Sequence, residues 1–374
     1  MKITLKRTPE QVELIKAMAS KNRAVAYEAQ VALAEFIGPV LAEVINNAPS
    51  LSNLFTTLQF NADDNPSIPL DLYYDISDED YITVYSQSVA GGLPQNQVLP
   101  TASEMKIATY TLDSALTFDR RYAAKSRMDV VSKTFTRMAQ EILLKQEKTS
   151  ANLILTALAG AKTNGKEHIL TAGTNGRFLL DDLNRLFTLA KRINTSFSGG
   201  TPTNRASRGV TDLLVSPELV QELRSMAYNP INTKGSPAGG TTSDGIAAPE
   251  DMRTAIYNSA GIPEFYGVSI MEMNELGAGQ KFNTVFNGVK ATGPNSYTFN
   301  PDAQEIIIGL DRSRESLIRA VATDSENGSE FSLTADDQYS IRQSKIGYFG
   351  SLEEGRMVLD NRALVGVIAS GISA

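Results

Sequence analysis

The stretch KIGYFGSLEEGRMVLDNRALVGV, residues 345–367, decides how this chain is to be read. It begins as a β-strand interrupted by Gly347 and Gly350, passes through a short charged segment, and closes on the apolar run RALVGV. With ESLIRAVATD (315–324) and FSLTADDQYSIRQSKIGYFG (331–350) before it, the C-terminal part of the chain reads as three strands ending in RALVGVIAS. Within the middle run, Tyr339 and Ile341 are out of step with Ile346 and Tyr348, which predicts a bulge or strong twist near Gln343.

Outward from that ending, EIIIGLDRS (305–313) and YGVSIMEMNEL (266–276) supply further strands. TDLLVSPELVQELRSM (211–226) predicts a buried strand followed by a helix capped by Ser216, with Pro217 at its first position. GSPAGGTTSDG (235–245) reads as a surface loop, and Leu179 to Ile193 as a helix after the Gly/Asn-rich stretch 160–176. The longest helical candidate runs from Met128 to about Ala161, with Val131, Phe135, Met138, Ile142, Thr149, Leu153 and Ala157 at mostly three- and four-residue steps. At 1.5 Å per residue it spans ~50 Å, about three times an ordinary globular helix.

The N-terminal part starts a helix at Thr8-Pro9-Glu10, and a second helical stretch reaches about Asn47. Its apolar stripe comprises Phe36, Ile37, Val40, Leu41, Val44 and Ile45, with a kink expected at Gly38-Pro39. From about Ala48 to Met105 the character changes to short β-prone runs, DLYYDI and YITVYSQ, between turn residues, which predicts a long projecting hairpin. A two-stranded hairpin of this kind needs something to pack against. No internal repeat is visible.

The 374 residues are 42% hydrophobic and 21% charged, ordinary for a globular protein of one large or two average domains. Net charge is −7, which argues against general adhesion to nucleic acid, but the distribution is uneven. Residues 1–27 hold six cations against two carboxylates, whereas residues 51–105 hold eight carboxylates and neither Lys nor Arg. The N-terminal segment lacks the apolar core of a secretory signal, and no run approaches the ~18 apolar residues of a spanning helix, so a soluble protein made in the cytoplasm is expected.

Chemistry is sparsely represented. Cys is absent, which removes disulfides and thiolate metal sites, and His168 is the only histidine. His168 follows Gly165 in a turn-rich segment without a recognisable Ser or Asp partner set, and is expected at the surface. DISDEDY (75–81) lacks the glycine and distal Glu of an EF-hand loop and reads as a solvated or partner-facing acidic surface. GAGQKF from Gly277 has only the start of a dinucleotide fingerprint, so its glycines are expected in turns. Arg312, Arg314 and Arg319 are interleaved with Asp311 and Glu315, which predicts internal ion pairing rather than a phosphate site. Catalytic residues, cofactor and metal are therefore all expected to be none.

In order, the helical arm, acidic hairpin, very long helix, α/β segment, and the ending with EIIIGLDRSRESLIRAV and DDQYSIRQSKIGYFGSLEEGRMVLDNRALVGV resemble the major capsid proteins of tailed bacteriophages, the Hong Kong ninety-seven fold. The resemblance covers nearly the whole chain by element order and is most specific over residues 306–367. It implies an α+β fold with an N-terminal arm at 1–47 and an extended loop at 48–110. A peripheral domain would take 111–194 and 314–353, built on a spine helix at 128–161, and an axial domain 195–313 and 354–374. KIGYFG would then finish the peripheral strand, and RALVGV would complete the axial sheet.

The same resemblance implies function. The chain would self-assemble as hexamers and pentamers into the icosahedral head of a tailed phage, enclosing double-stranded DNA through non-specific contacts. A separate scaffolding protein, a portal and a cement protein would be its other partners, with no membrane involved. Assembly would occur in the host cytoplasm, and the final location would be the virion. A separate scaffold is expected because an arm starting at Met1 leaves little room for a cleaved scaffolding domain. In such shells the extended loop lies over a neighbouring subunit, which suggests that Asp78, Glu79 and Asp80 meet Arg120, Arg121, Lys125 and Arg127 of the next chain. Some relatives weld the shell through a loop lysine; residues 51–105 hold none, so no such cross-link is expected, with Lys106 at the loop base the nearest candidate. The alternatives are an encapsulin, a nanocompartment shell of the same fold, and a soluble α/β enzyme using carboxylates.

Overall fold

The computed structural model describes residues 8–46, 48, 51–61, 64–69, 104–163, 166–174, 176–193, 209–226, 264–265, 267–290, 298–323, 330–336 and 344–372. DLYYDI, YITVYSQ, DISDEDY and GSPAGGTTSDG lie outside them, as does the Gln343 position.

Thr8 caps α1 (Pro9–Met18) by accepting from the Gln11 N–H at 3.4 Å, with Pro9 at the first helical position. α2 (Arg23–Asn46) contains Pro39 and runs through it as one helix. β1 (Thr56–Asn61), β2 (Ser67–Pro69), β3 (Glu104–Lys106) and β4 (Thr109–Asp119) follow, then the short α3 (Arg120–Ala124) and the long α4 (Met128–Ala159). The 32 residues of α4 reach ~48 Å at 1.5 Å each. Next come β5 (Lys162–Thr163), β6 (Lys166–Glu167), β7 (Ile169–Thr171), α5 (Leu180–Ile193), β8 (Asp212–Val215) and α6 (Pro217–Met226). The chain continues through β9 (Glu264–Phe265), β10 (Val268–Glu272), β11 (Gln304–Leu310), β12 (Leu317–Thr323), β13 (Ser332–Asp336), β14 (Lys345–Val358) and β15 (Leu364–Ser370).

Two compact units result, the first drawing its described residues from 8–68, 104–150 and 317–357, the second from 69, 151–316 and 358–372. In the first, the sheet order is β1-β12-β14-β13, with β4 also paired to β14. β14 runs antiparallel to β4 from Lys345↔Asp119 to Gly355↔Thr109, and to β13 from Ser332↔Ser351 to Asp336↔Gly347. The core gathers Ile15 and Met18 of α1, Leu33, Ile37 and Leu41 of α2, and Val131, Phe135 and Met138 of α4 onto Tyr348 and Leu352. Tyr348 is wholly buried, edge-on to Phe135 at 5.3 Å between ring centres, and burial pushes its phenol well above the usual range.

Three expectations change here. FSLTADDQYSIRQSKIGYFG holds two strands, β13 and β14, that pair antiparallel rather than one, while the bulge or twist expected near Gln343 falls outside the described residues. KIGYFG does not end its strand, because β14 continues through SLEEGRMV to Val358. Along β14 Ile346, Tyr348, Gly350, Leu352, Glu354 and Arg356 alternate on one buried face that carries two charges inward, with Gly347 and Gly355 buried on the other. Finally, the buried face of α4 beyond Ile142 is Gln146, Ser150, Ala151, Ile154, Leu155 and Leu158, with Thr149, Leu153 and Ala157 only partly covered.

Those polar residues belong together. The Glu354 carboxylate accepts from Arg319 Nε at 3.0 Å, Arg356 Nη2 at 3.1 Å and Nε at 3.2 Å, Gln146 Nε2 at 3.0 Å and the Tyr110 hydroxyl at 2.8 Å. Arg356 also donates to Ser150 Oγ and stacks over the Phe55 ring at 5.4 Å. Burial alone would raise the Glu354 pKa, but the Arg356 and Arg319 guanidiniums outweigh it and hold the carboxyl below its ordinary value. Tyr110 is pushed up to about 12 by burial and by facing that carboxylate.

In the second unit the sheet order is β7-β15-β11-β8-β10-β9. β11 is antiparallel to β15 over seven pairs, Gln304↔Ser370 to Leu310↔Leu364, and antiparallel to β8; β10 is parallel to β8 and β7 to β15. DLLV, EIIIGL and LVGVIA are buried throughout, as continuous apolar runs require when both faces are covered. Leu213, Val215, Ile307, Val365 and Val367 share a core with α5, whose Leu183, Leu186, Ala190 and Ile193 recur at helical spacing. Asp182 accepts from the Gly173 and Leu179 N–H groups at 2.8 and 3.1 Å and secures the start of α5. Ser216 Oγ accepts from the Leu219 N–H at 3.4 Å, the cap expected for α6.

Glu354→Ala strands two buried guanidiniums and should lower unfolding free energy by about 3–5 kcal/mol, read as a shifted urea midpoint; a change under ~1 kcal/mol would contradict the network's role. Gly350 answers to a different constraint, since a Cβ there would lie 2.5 Å from Phe331 and 2.7 Å from Met138. Gly350→Ala should therefore destabilise by about 1–3 kcal/mol through overpacking, and a neutral melting temperature would argue against that packing.

Candidate interaction surface

The residues with the best title to chemistry are occupied by the fold. His168, expected at the surface, is fully buried: Nδ1–H donates to the Leu364 and Asn361 carbonyls at 2.9 and 3.1 Å, and Nε2 accepts from Thr163 Oγ1 at 2.7 Å. Burial lowers its pKa, so the imidazole is held neutral as a tie between β7 and the chain entering β15. Its turn-rich sequence surroundings gave no sign of this, because the two carbonyls that hold Nδ1 lie almost two hundred positions away. Arg312, Arg314 and Arg319 are ion-paired as expected, but with Asp212 at 4.0 Å, with Asp360, and with Glu354, not through the interleaved acids alone.

The nearest thing to a carboxylate pair is Glu305 with Glu218. Glu305 is buried, its pKa raised by desolvation, and it accepts from Ser216 Oγ at 2.6 Å and the Ala278 N–H at 2.7 Å. A Cβ at Gly277, in a positive-φ turn, would meet Glu218 at 3.2 Å and Glu305 at 3.3 Å, which leaves the pair bracing the turn after β10. Among the described residues no group of three or more His, Cys, Asp or Glu could hold a metal ion, and no helix is long and apolar enough to cross a membrane.

Surface features of the first unit are more distinctive. Asp119 caps α3 by accepting from the Arg121 N–H at 2.9 Å and pairs with the exposed Arg121 guanidinium at 3.4 Å. Lys125 and Arg127 are exposed beyond the end of α3. Arg120 differs, donating through Nε and Nη2 to the Ala19 carbonyl at 3.2 and 3.0 Å and so closing the end of α1. Asp78, Glu79 and Asp80 lie outside the described residues. The base of their segment is seen: β2 pairs with β3, the Ile107 N–H donates to the Pro66 carbonyl at 3.0 Å, and Ile68 and Ile107 are buried.

Two further features stand open alongside these. β1 ends the sheet, paired only with β12 among the described strands, and five of its six residues are exposed, Leu58 among them. On α2, Val25, Phe36 and Val40 are exposed at 41%, 52% and 38% and fall on one helical stripe. Of the stripe read from the sequence, the structure buries Ile37, Leu41 and Ile45 and leaves Phe36 and Val40 exposed, so the stripe is wider than its own unit covers.

Comparison with solved structures returns shell proteins. The capsid of an empty GTA particle is similar over 86% of this chain and 89% of that chain, with a TM-score of 0.50 at 11% identity. A cyanophage P-SCSP1u capsid is similar over 85% and 86%, with a TM-score of 0.46 and 15% identity. The encapsulin complex from Synechococcus elongatus is similar over 86% and 88%, with a TM-score of 0.45 and 14% identity. No protein-family model and no curated protein matches the sequence. At such identities the similarity is one of fold.

A buried neutral His binds its proton more readily once the chain unfolds, so stability tied to His168 is present above the free value of 6.5 and is lost as pH falls below it. Melting temperature should therefore fall less between pH 7 and pH 5 in His168→Gln than in the parent. Equal slopes would contradict the buried, neutral assignment.

Proposed function

We propose that this chain, which has the Hong Kong ninety-seven fold of phage major capsid proteins, is a shell protein that assembles with copies of itself. Its copies would form hexamers and pentamers, closing into an icosahedral head around the double-stranded DNA of a tailed phage. A separate scaffolding protein, a portal and a cement protein would be its other partners, with assembly in the host cytoplasm and final residence in the virion. The fold similarity to a GTA particle capsid over 86% of the chain carries this reading.

The open features of the first unit support it. An exposed apolar stripe on α2 and an open strand edge at β1 are surfaces that an isolated protein would leave in water at a cost and that contact with another copy covers. Acidic segment and cations complement each other: Asp78, Glu79 and Asp80 of one subunit would meet Arg121, Lys125 and Arg127, beside Arg120, on the next. The encapsulin reading shares the fold; the long basic arm and long acidic segment favour the phage head, and the contents of the shell, DNA or a cargo enzyme, separate the two.

Reversing Asp78, Glu79 and Asp80 to Lys should abolish or strongly reduce fast-sedimenting assemblies in velocity ultracentrifugation while leaving the subunit's melting temperature within a few degrees of the parent. Assemblies of parental size and yield from the triple variant would remove the electrostatic contact from the account.

A further inference from the structure

Between the α1–α2 turn, the start of α3 and the start of β14 lies a pocket of about 290 Å³. Lys21, Arg23, Arg120 and Lys345 line it, and among the described residues no carboxylate does. Backbone contacts fix this convergence of distant segments. The Arg120 N–H donates to the Ser344 carbonyl at 3.1 Å, Lys345 is opposite Asp119 in the β4–β14 ladder, and the Arg120 guanidinium reaches the Ala19 carbonyl.

Four like charges facing one cavity repel one another, and a recessed wall screens them less than open water does. The Lys21 and Lys345 ammonium groups make no ion pair or hydrogen bond with any described residue that would offset this. At the floor, Gln30 is 3% exposed and its Oε1 has no hydrogen-bond partner. A buried amide of this kind calls for a polar partner, and turning it by 180° presents Nε2 as a donor beside the cations. With Ile346 as an apolar wall, the pocket suits a carboxylate carried on a short aliphatic stem.

We propose that this pocket receives an acidic side chain from residues 71–80 of a second copy of this chain. The inference rests on the shell reading only in taking copies to be neighbours, and it moves the main anchor from the exposed α3 cations to a recessed site. Charge complementarity selects the occupant: Asp71, Asp75, Asp78, Glu79 and Asp80 fall in the stretch 51–105, which has no Lys or Arg. A phosphodiester backbone tracks a basic stripe along a surface, whereas here the charges converge on a cavity.

The test is fluorescence anisotropy of a labelled synthetic peptide of residues 71–82 titrated with the full chain held unassembled at low concentration. The peptide should bind, binding should weaken with salt, and Lys21→Glu with Lys345→Glu should weaken it at least about tenfold with an unchanged melting temperature. Replacing the five acids of the peptide by Asn and Gln should remove binding. No binding to the parent chain, equal binding to the double variant, or binding by a short DNA duplex where the peptide fails would each overturn the proposal. The shell reading is judged separately: peptide binding without shells would sink that reading and leave the pocket standing, and shells without peptide binding would do the reverse.

Discussion

Glu354 is the constraint around which the first unit is built. It sits on the inward face of β14, in strict alternation with Ile346, Tyr348 and Leu352, and a carboxylate can be held there only if its lone pairs are filled. Arg319 from β12, Arg356 from the same strand, Gln146 from α4 and Tyr110 from β4 fill them. The network therefore fixes three relations at once: the order of strands around β14, the face that α4 turns to the sheet, and the place of Phe55 under the Arg356 guanidinium. A wholly apolar core of the same volume could match its stability. Five directed hydrogen bonds on one carboxylate specify register more tightly than apolar contacts do.

Much of the fold was legible because it follows local rules. The Thr8 and Ser216 caps, the uninterrupted period of α4, and the continuous apolar runs of β8, β11 and β15 each follow from a few adjacent residues. The misreadings share one cause. Charged SLEEGR reads as the end of a strand, the α4 stripe runs through Thr149 and Leu153 instead of Gln146 and Ser150, and His168 reads as a surface residue, because each buried polar group is satisfied by a partner remote in sequence. Burial of a polar group is a property of the pair, and a single position reveals nothing of its partner.

The surface was less legible still. The α2 stripe announced burial without saying by what, and the structure covers Ile37, Leu41 and Ile45 while leaving Phe36 and Val40 in water. Charge along the sequence did point outward: a basic beginning and a long stretch without cations imply complementary contacts. What it could not supply is the convergence of Lys21, Arg23, Arg120 and Lys345, which depends on β14 starting beside α3. Among the described residues, an open strand edge, an uncovered helical stripe and a cationic pocket on one unit are the features that the proposed shell would complete with neighbouring copies.

Electron microscopy of the purified full chain at high concentration, with and without a candidate scaffolding protein, tests the central claim most directly. The account predicts hollow, closed particles of icosahedral outline built from six-fold and five-fold clusters. A chain that remains monomeric at every concentration, with a cooperative melt showing it folded and with scaffold present, would contradict it.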